Sequence, residues 1–170
     1  MKTADWILGR LREWGIHRVY GYPGDGINAF LGAFHRASPD PYFTQTRHEE
    51  MAAFMACAHA KFTGEIGCCI ATSGPGAVHL INGLYDAKLD HQPVLAIVGQ
   101  QKRSSLGAHY QQEVDLPVLF KDVGGFTATI MEPTAARSII DRAIKSAYEE
   151  RRPAIVIIPE DVGEAPYSDP

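Results

Sequence analysis

The sequence predicts an α/β protein: an open, mostly parallel six-stranded sheet flanked by helices on both faces. Three observations lead there. Apolar strand-like runs alternate with helical patterns along the whole chain. Two of the runs, Ile66 to Ala71 and Val94 to Val98, are continuously apolar rather than alternating, as strands covered on both faces must be. The 170 residues are 45% apolar and 21% charged, enough for one domain with a real core.

Each element has its own signal. Ala4, Ile7, Leu8, Leu11 and Trp14 keep the i, i+3, i+4 rhythm of an amphipathic helix. His17 to Tyr20 follows as the first strand and runs into Gly21-Tyr22-Pro23-Gly24-Asp25-Gly26. Tyr42 to Gln45 is the second. Thr46-Arg47-His48-Glu49-Glu50 then opens a helix in which Met51 to Ala60 carries no charge. A helix apolar on every face is expected to be buried on every side. Glu49 and Glu50 gain from its N-terminus and are carried toward a buried place, where a carboxyl group suits proton transfer. Capping of a core helix is the plainer alternative. Ile66 to Ala71 ends in Thr72-Ser73-Gly74-Pro75-Gly76, ahead of a helix from about Ala77 to Leu89. Val94 to Val98 ends in Gly99-Gln100-Gln101, with Gln112-Glu113 further on. Phe126 to Ile130 and Ala154 to Ile158 complete the strands, separated by a helix marked by Ala136, Ile140, Ala143, Ile144 and Ala147. Residues 1–163 form the domain, and the small, polar, proline-bearing stretch 164–170 reads as the start of a linker that has been cut off.

Composition removes several function classes. A net charge of −4 without blocks of like charge argues against a nucleic-acid surface or a polybasic membrane patch. No run approaches transmembrane length, and the acidic start lacks the apolar core of a signal peptide. The three cysteines form no CxxC or zinc spacing and read as small core residues, with Cys68 and Cys69 pointing to opposite faces of a strand. They argue for a reduced compartment, and the cytoplasm is the expected address.

Open α/β sheets bind ligands beyond the carboxyl ends of their strands. The loops at Tyr22-Pro23-Gly24, Glu49, Ser73-Gly74-Pro75 and Gln100 are therefore expected to converge. Gly24-Asp25-Gly26-Ile27-Asn28-Ala29 matches the dinucleotide fingerprint G-x-G-x-x-A, which keeps a Rossmann-like domain as an alternative. Against it, Pro23 interrupts the entry from the strand and Glu49 opens a helix instead of ending a strand. His48-Glu49 begins like the zinc-protease motif H-E-x-x-H, but Ala52 stands where the second His is required, so no metal site is assigned. His59 reads as a hydrogen-bonded core residue.

Taken in order, Arg47-His48-Glu49-Glu50, Thr63-Gly64, Thr72-Ser73-Gly74-Pro75-Gly76, Asp90-His91-Gln92-Pro93-Val94 and Gly99-Gln100 are more specific than any one of them. The set resembles the pyrimidine-binding (PYR) domain of thiamine-diphosphate enzymes, most closely the pyruvate oxidase and acetolactate synthase group. His79-Leu80 and Asn82-Gly83-Leu84-Tyr85-Asp86-Ala87 are similar to the pyruvate oxidase version.

That resemblance implies a role for particular residues. Glu49 would share a proton with the aminopyrimidine ring and be the catalytic acid. Tyr22, Pro23 and Gly24 would lie beside the ring, as would Ser73, Gly74 and Pro75. Gln112 would stand on the substrate side. Gln111 departs from the pattern, because the family usually carries phenylalanine there; a polar group in place of an aromatic wall changes which acyl group or acceptor fits. The resemblance also implies a 2-oxo acid substrate and a second copy of the chain as partner, giving a dimer or, in the full protein, a tetramer. Self-association is expected through the helix from Glu50 to Phe62, with Ala52, Ala56 and Ala60 letting a partner helix approach closely. The family holds the diphosphate and its Mg²⁺ on a separate domain, through Gly-Asp-Gly followed at a set distance by Asn. Gly24-Asp25-Gly26 mimics the first part, yet Asn28 and Asn82 both lie at the wrong distance. The metal half is therefore expected elsewhere, in a longer protein or in a second subunit of a split enzyme. A flavin (FAD) domain in that portion stays open, and so does a catalytically inert interaction domain that kept the fold.

Overall fold

The computed structural model describes residues 1–168. Six strands form one sheet in the order β2-β1-β3-β4-β6-β5: β1 Arg18–Gly21, β2 Tyr42–Gln45, β3 Gly67–Ala71, β4 Val94–Gln100, β5 Phe126–Thr129 and β6 Pro153–Pro159. Every pairing in it is parallel, in keeping with the expected open, mostly parallel sheet. The central strands β3, β4 and β6 are buried along their whole length. That burial explains their unbroken apolar runs.

Helices α1 Thr3–Glu13, α2 Asn28–Ala37 and α6 Ala136–Glu150 cover one face. Helices α3 Glu49–Thr63, α4 Pro75–Leu89 and the short α5 Leu116–Leu119 cover the other. Cys68 belongs to the first core and Cys69 to the second, as the pleat requires. All three cysteines are free and buried. On α1 the periodic Ile7, Leu8 and Leu11 are fully buried, worth about 1.5–3 kcal/mol each. Helix α7, Glu160–Glu164, follows β6, and Tyr167 stacks on Trp6 with ring centroids 4.2 Å apart. The stretch assigned to a linker thus begins on the domain, while residues 169 and 170 lie outside the described ones.

Two expectations about α3 need correction. It is not buried on every side: Ala52, Ala53, Ala56, Cys57 and Ala60 are, whereas Met51 is 54% and Phe62 90% exposed. Nor do its alanines await a partner helix. They let α3 lie against its own sheet, so closely that a Cβ on Gly67 would come 1.9 Å from the Ala56 carbonyl oxygen. Absence of charge from Met51 to Ala60 did not remove the solvated face; small size rather than apolarity chose the side that meets β3. Among the described residues no helix is long and apolar enough to cross a membrane.

Candidate functional site

The chain leaves β1 toward β2 on one side and returns to β3 on the other. This reversal opens a crevice past the carboxyl ends of β1 and β3, the place where such sheets take ligands. The loops after these strands lock together there: the Gly26 N–H donates to Thr72 Oγ1 at 2.9 Å. A Cβ on Gly24 would sit 2.6 Å from that of Thr72. The surface that a pyrophosphate would need over Gly24 and Gly26 is thus occupied by Thr72 and Ser73, and nothing favours the dinucleotide reading.

Glu49 enters from β2. Thr46 pins the entry, its hydroxyl lying 3.1 Å from the Gly21 carbonyl and 2.9 Å from that of His48. His48 caps α3, its Nδ1 accepting the Glu50 N–H at 3.2 Å. Glu49 is then 7% exposed, with Oε2 3.0 Å from Nδ1 of His79 on α4. Its Oε1 faces Gly76, where a Cβ would lie 3.2 Å away. The His79 ring leans on that of His48, centroids 4.4 Å apart. His48, Glu49 and His79 offer three donor atoms within 4.8 Å of one another. Nδ1 of each ring is engaged within the chain, that of His48 with the Glu50 N–H and that of His79 with Glu49 Oε2.

The glutamines assemble on the other side of the Thr72–Gly76 loop. Gln101 Nε2–H donates toward Ser73 Oγ at 3.1 Å and the Gln111 carbonyl at 2.8 Å. Gln100, 6% exposed, holds the following loop through the Val114 carbonyl at 3.1 Å. Glu113 accepts N–H groups of Gly107 and Tyr110, which keep its carboxyl below the ordinary glutamate range. Asp25, Gly26, Ser73, Gln101, Gln111 and Gln112 line a polar cleft of about 200 Å³. Gly74, at φ +60°, touches the backbone of Gln112. The Thr72–Gly76 loop therefore meets Glu49 through Gly76 and the glutamines through Ser73 and Gly74. Tyr22 is 40% exposed and Pro75 is also exposed. Gly24, Glu49, Ser73 and Gly74 come together at this edge around Thr72 and Gly76, whereas Gln100 turns to Val114 and a separate hollow; of the expected site residues, Ser73, Gln111 and Gln112 line the polar cleft.

The thiamine pyrophosphate enzyme N-terminal TPP binding domain matches residues 1–118. The chain belongs to that family. It is 44% identical over 162 residues to the putative thiamine pyrophosphate-containing protein YdaP of Bacillus subtilis, covering 95% of this chain and 28% of that protein. Pyruvate oxidase of Lactiplantibacillus plantarum is 40% identical over 156 residues, covering 92% of this chain and 26% of the relative. Acetolactate synthase isozyme 2 large subunit of Escherichia coli is 37% identical over 163 residues, covering 95% and 29%. The chain thus spans between a quarter and a third of the length of these relatives.

In this TPP binding domain a carboxyl group almost removed from water presents one oxygen beside Gly76, where the absence of a side chain lets Thr72 and Glu49 approach the backbone closely. Thr72, Gln101 and His79 stand in this site without having been singled out from the sequence as site residues. For His79 one signal existed: His79-Leu80 belongs to the stretch similar to the pyruvate oxidase version, on a helix that begins at the sheet edge where α3 also begins. His59 is a half-buried residue held by Tyr20 at 3.4 Å and Glu65 at 3.6 Å, apart from the site.

Proposed function

We propose that this domain is the pyrimidine-binding half of a thiamine-diphosphate site in a 2-oxo-acid decarboxylase, oxidase or carboligase. One observation carries it: Glu49, buried at the start of α3, presents Oε1 beside Gly76 at the sheet edge in a chain of the TPP enzyme family. Glu49 would hold a proton at Oε1 against the ring nitrogen and is the catalytic acid. Tyr22, Pro23 and Gly24 would border the ring from the β1 side and Ser73, Gly74 and Pro75 from the β3 side. Bound there, the cofactor supplies the carbon nucleophile and the electron sink.

Gln112 and Gln111 would face the 2-oxo acid or its acceptor across the polar cleft. A cleft wall of amides fits a polar substrate tail better than an aromatic wall would. Mg²⁺ and the diphosphate would be held by a domain outside this chain, which could also be accompanied by one for FAD. A second copy would dock on the outer face of α3 and α4, where Met51, Phe62 and Val78 are exposed. The reduced, buried cysteines fit a cytoplasmic address.

The test is CO₂ release from 2-oxo acids by the complete protein carrying this domain, with thiamine diphosphate and Mg²⁺. Release should require the cofactor, and Glu49→Gln should lower turnover by about 10²-fold or more with the fold retained, because the amide cannot share the proton. Turnover near that of the unaltered protein in this variant would remove Glu49 from the chemistry.

A further inference from the structure

Glu49 and His79 come from two helices, and their contact divides the labour between the two carboxyl oxygens. Oε2 is tied to His79 Nδ1 at 3.0 Å, and Oε1 is the oxygen that faces Gly76. We propose that His79 is a positioning residue for Glu49, holding the carboxyl group so that Oε1 points at the aminopyrimidine seat. This rests on the function proposed above.

The terminal torsion of a glutamate is broad, so an unanchored carboxyl group samples many orientations. A charge-assisted hydrogen bond between histidine and carboxylate selects one. Whichever partner carries the shared proton, Oε2 is the atom held and Oε1 the atom left free. The anchor is itself braced. The His79 ring is tilted 31° against His48, and His48 is fixed by the Glu50 N–H at 3.2 Å. Glu50 in turn accepts Asn82 Nδ2–H from α4. Two contacts therefore join the first turns of α3 and α4 around the Glu49–His79 bond. His79 does not touch Gly76 or the glutamine cleft in any contact described, so its influence passes through Glu49.

The experiment uses the complete protein with thiamine diphosphate and Mg²⁺ and reads two quantities: cofactor affinity by calorimetry, and exchange of the cofactor's C2 proton for deuterium without substrate. His79→Leu should slow exchange about 10-fold or more, the weight of a hydrogen bond to a charged group. Affinity should change less than about 3-fold, since the seat and the diphosphate contacts remain. His79→Asn, whose amide N–H falls near the position of Nδ1, should restore most of the rate. In a Glu49→Gln background, His79→Leu should add nothing. Slow exchange in Glu49→Gln with unchanged exchange in His79→Leu would overturn the positioning role alone. Equal losses in His79→Leu and His79→Asn would overturn it too, since the bond would then not be the cause. Should His79→Leu fail to fold, His79→Ala, which likewise removes the donor, takes its place in both comparisons. Unchanged exchange in Glu49→Gln would instead overturn the function on which the proposal rests.

Discussion

A side chain on Gly74 would place its Cβ 2.3 Å from the carbonyl oxygen of Gln112. The loop after β3 and the loop after β4 thus meet backbone to backbone, and both residues stand at positive φ, +60° and +63°. Gly74→Ala should combine a forbidden contact with backbone strain and cost about 2 kcal/mol or more. Urea unfolding of the chain measures it, and a midpoint unchanged from the glycine form would mean that the two loops are free to part.

The isolated chain should bind thiamine diphosphate with Mg²⁺ only feebly. On the proposed reading its crevice offers Glu49 to the ring, and the anionic end is held elsewhere. Calorimetric titration decides the matter. Tight, metal-dependent binding to residues 1–170 alone would place the diphosphate site within this chain.

Self-association through α3 and α4 should depend on the exposed residues and not on the alanine row. Met51→Asp with Phe62→Asp should give a folded monomer by light scattering and circular dichroism. Ala56→Asp should unfold the chain, because Ala56 lies fully buried against β3. A dimer that survives the double charge would move the interface to another face.

Asp141 should stabilise the fold in a pH-dependent way. Burial pushes its carboxyl up, but hydrogen bonds from Arg10, at 2.8 and 2.9 Å, and from Trp14, at 2.8 Å, outweigh this and hold it below the ordinary aspartate value. A carboxyl lowered by folding contributes stability above its unfolded value, about 3.9. That contribution fades as pH falls through the folded value. Asp141→Asn should therefore cost about 1–3 kcal/mol at neutral pH. Unfolding curves of the two proteins should draw together below about pH 4; a gap constant across that range would assign the loss to packing alone.

The buried thiols should be inert in the native chain. Burial pushes both Cys57 and Cys69 up to about 12, leaving almost no thiolate at pH 8. A thiol reagent should label them only as fast as the chain unfolds, and rapid labelling without denaturant would show that α3 opens locally.

Local pattern determined a good deal by itself. The strand Tyr42–Gln45 and the helix starting near Ala136 fall where periodicity put them, and Cys68 and Cys69 part to opposite faces because a strand alternates. Glu49 could be chosen because charge stops at the first turn of α3 and because its surroundings resemble a known family. Tertiary structure decided what each residue meets. The row Ala52, Ala56 and Ala60 specified a face but not whether a sheet or a second helix would fill it. Gly24 and Gly26 asked for a close neighbour, and only the β1–β3 reversal made that neighbour Thr72. His79 lies 30 positions from Glu49, and no pattern within either helix pairs them. Periodicity reports burial, which each segment encodes for itself; partnership depends on strand order, which places the first turns of α3 and α4 side by side at one edge of the sheet.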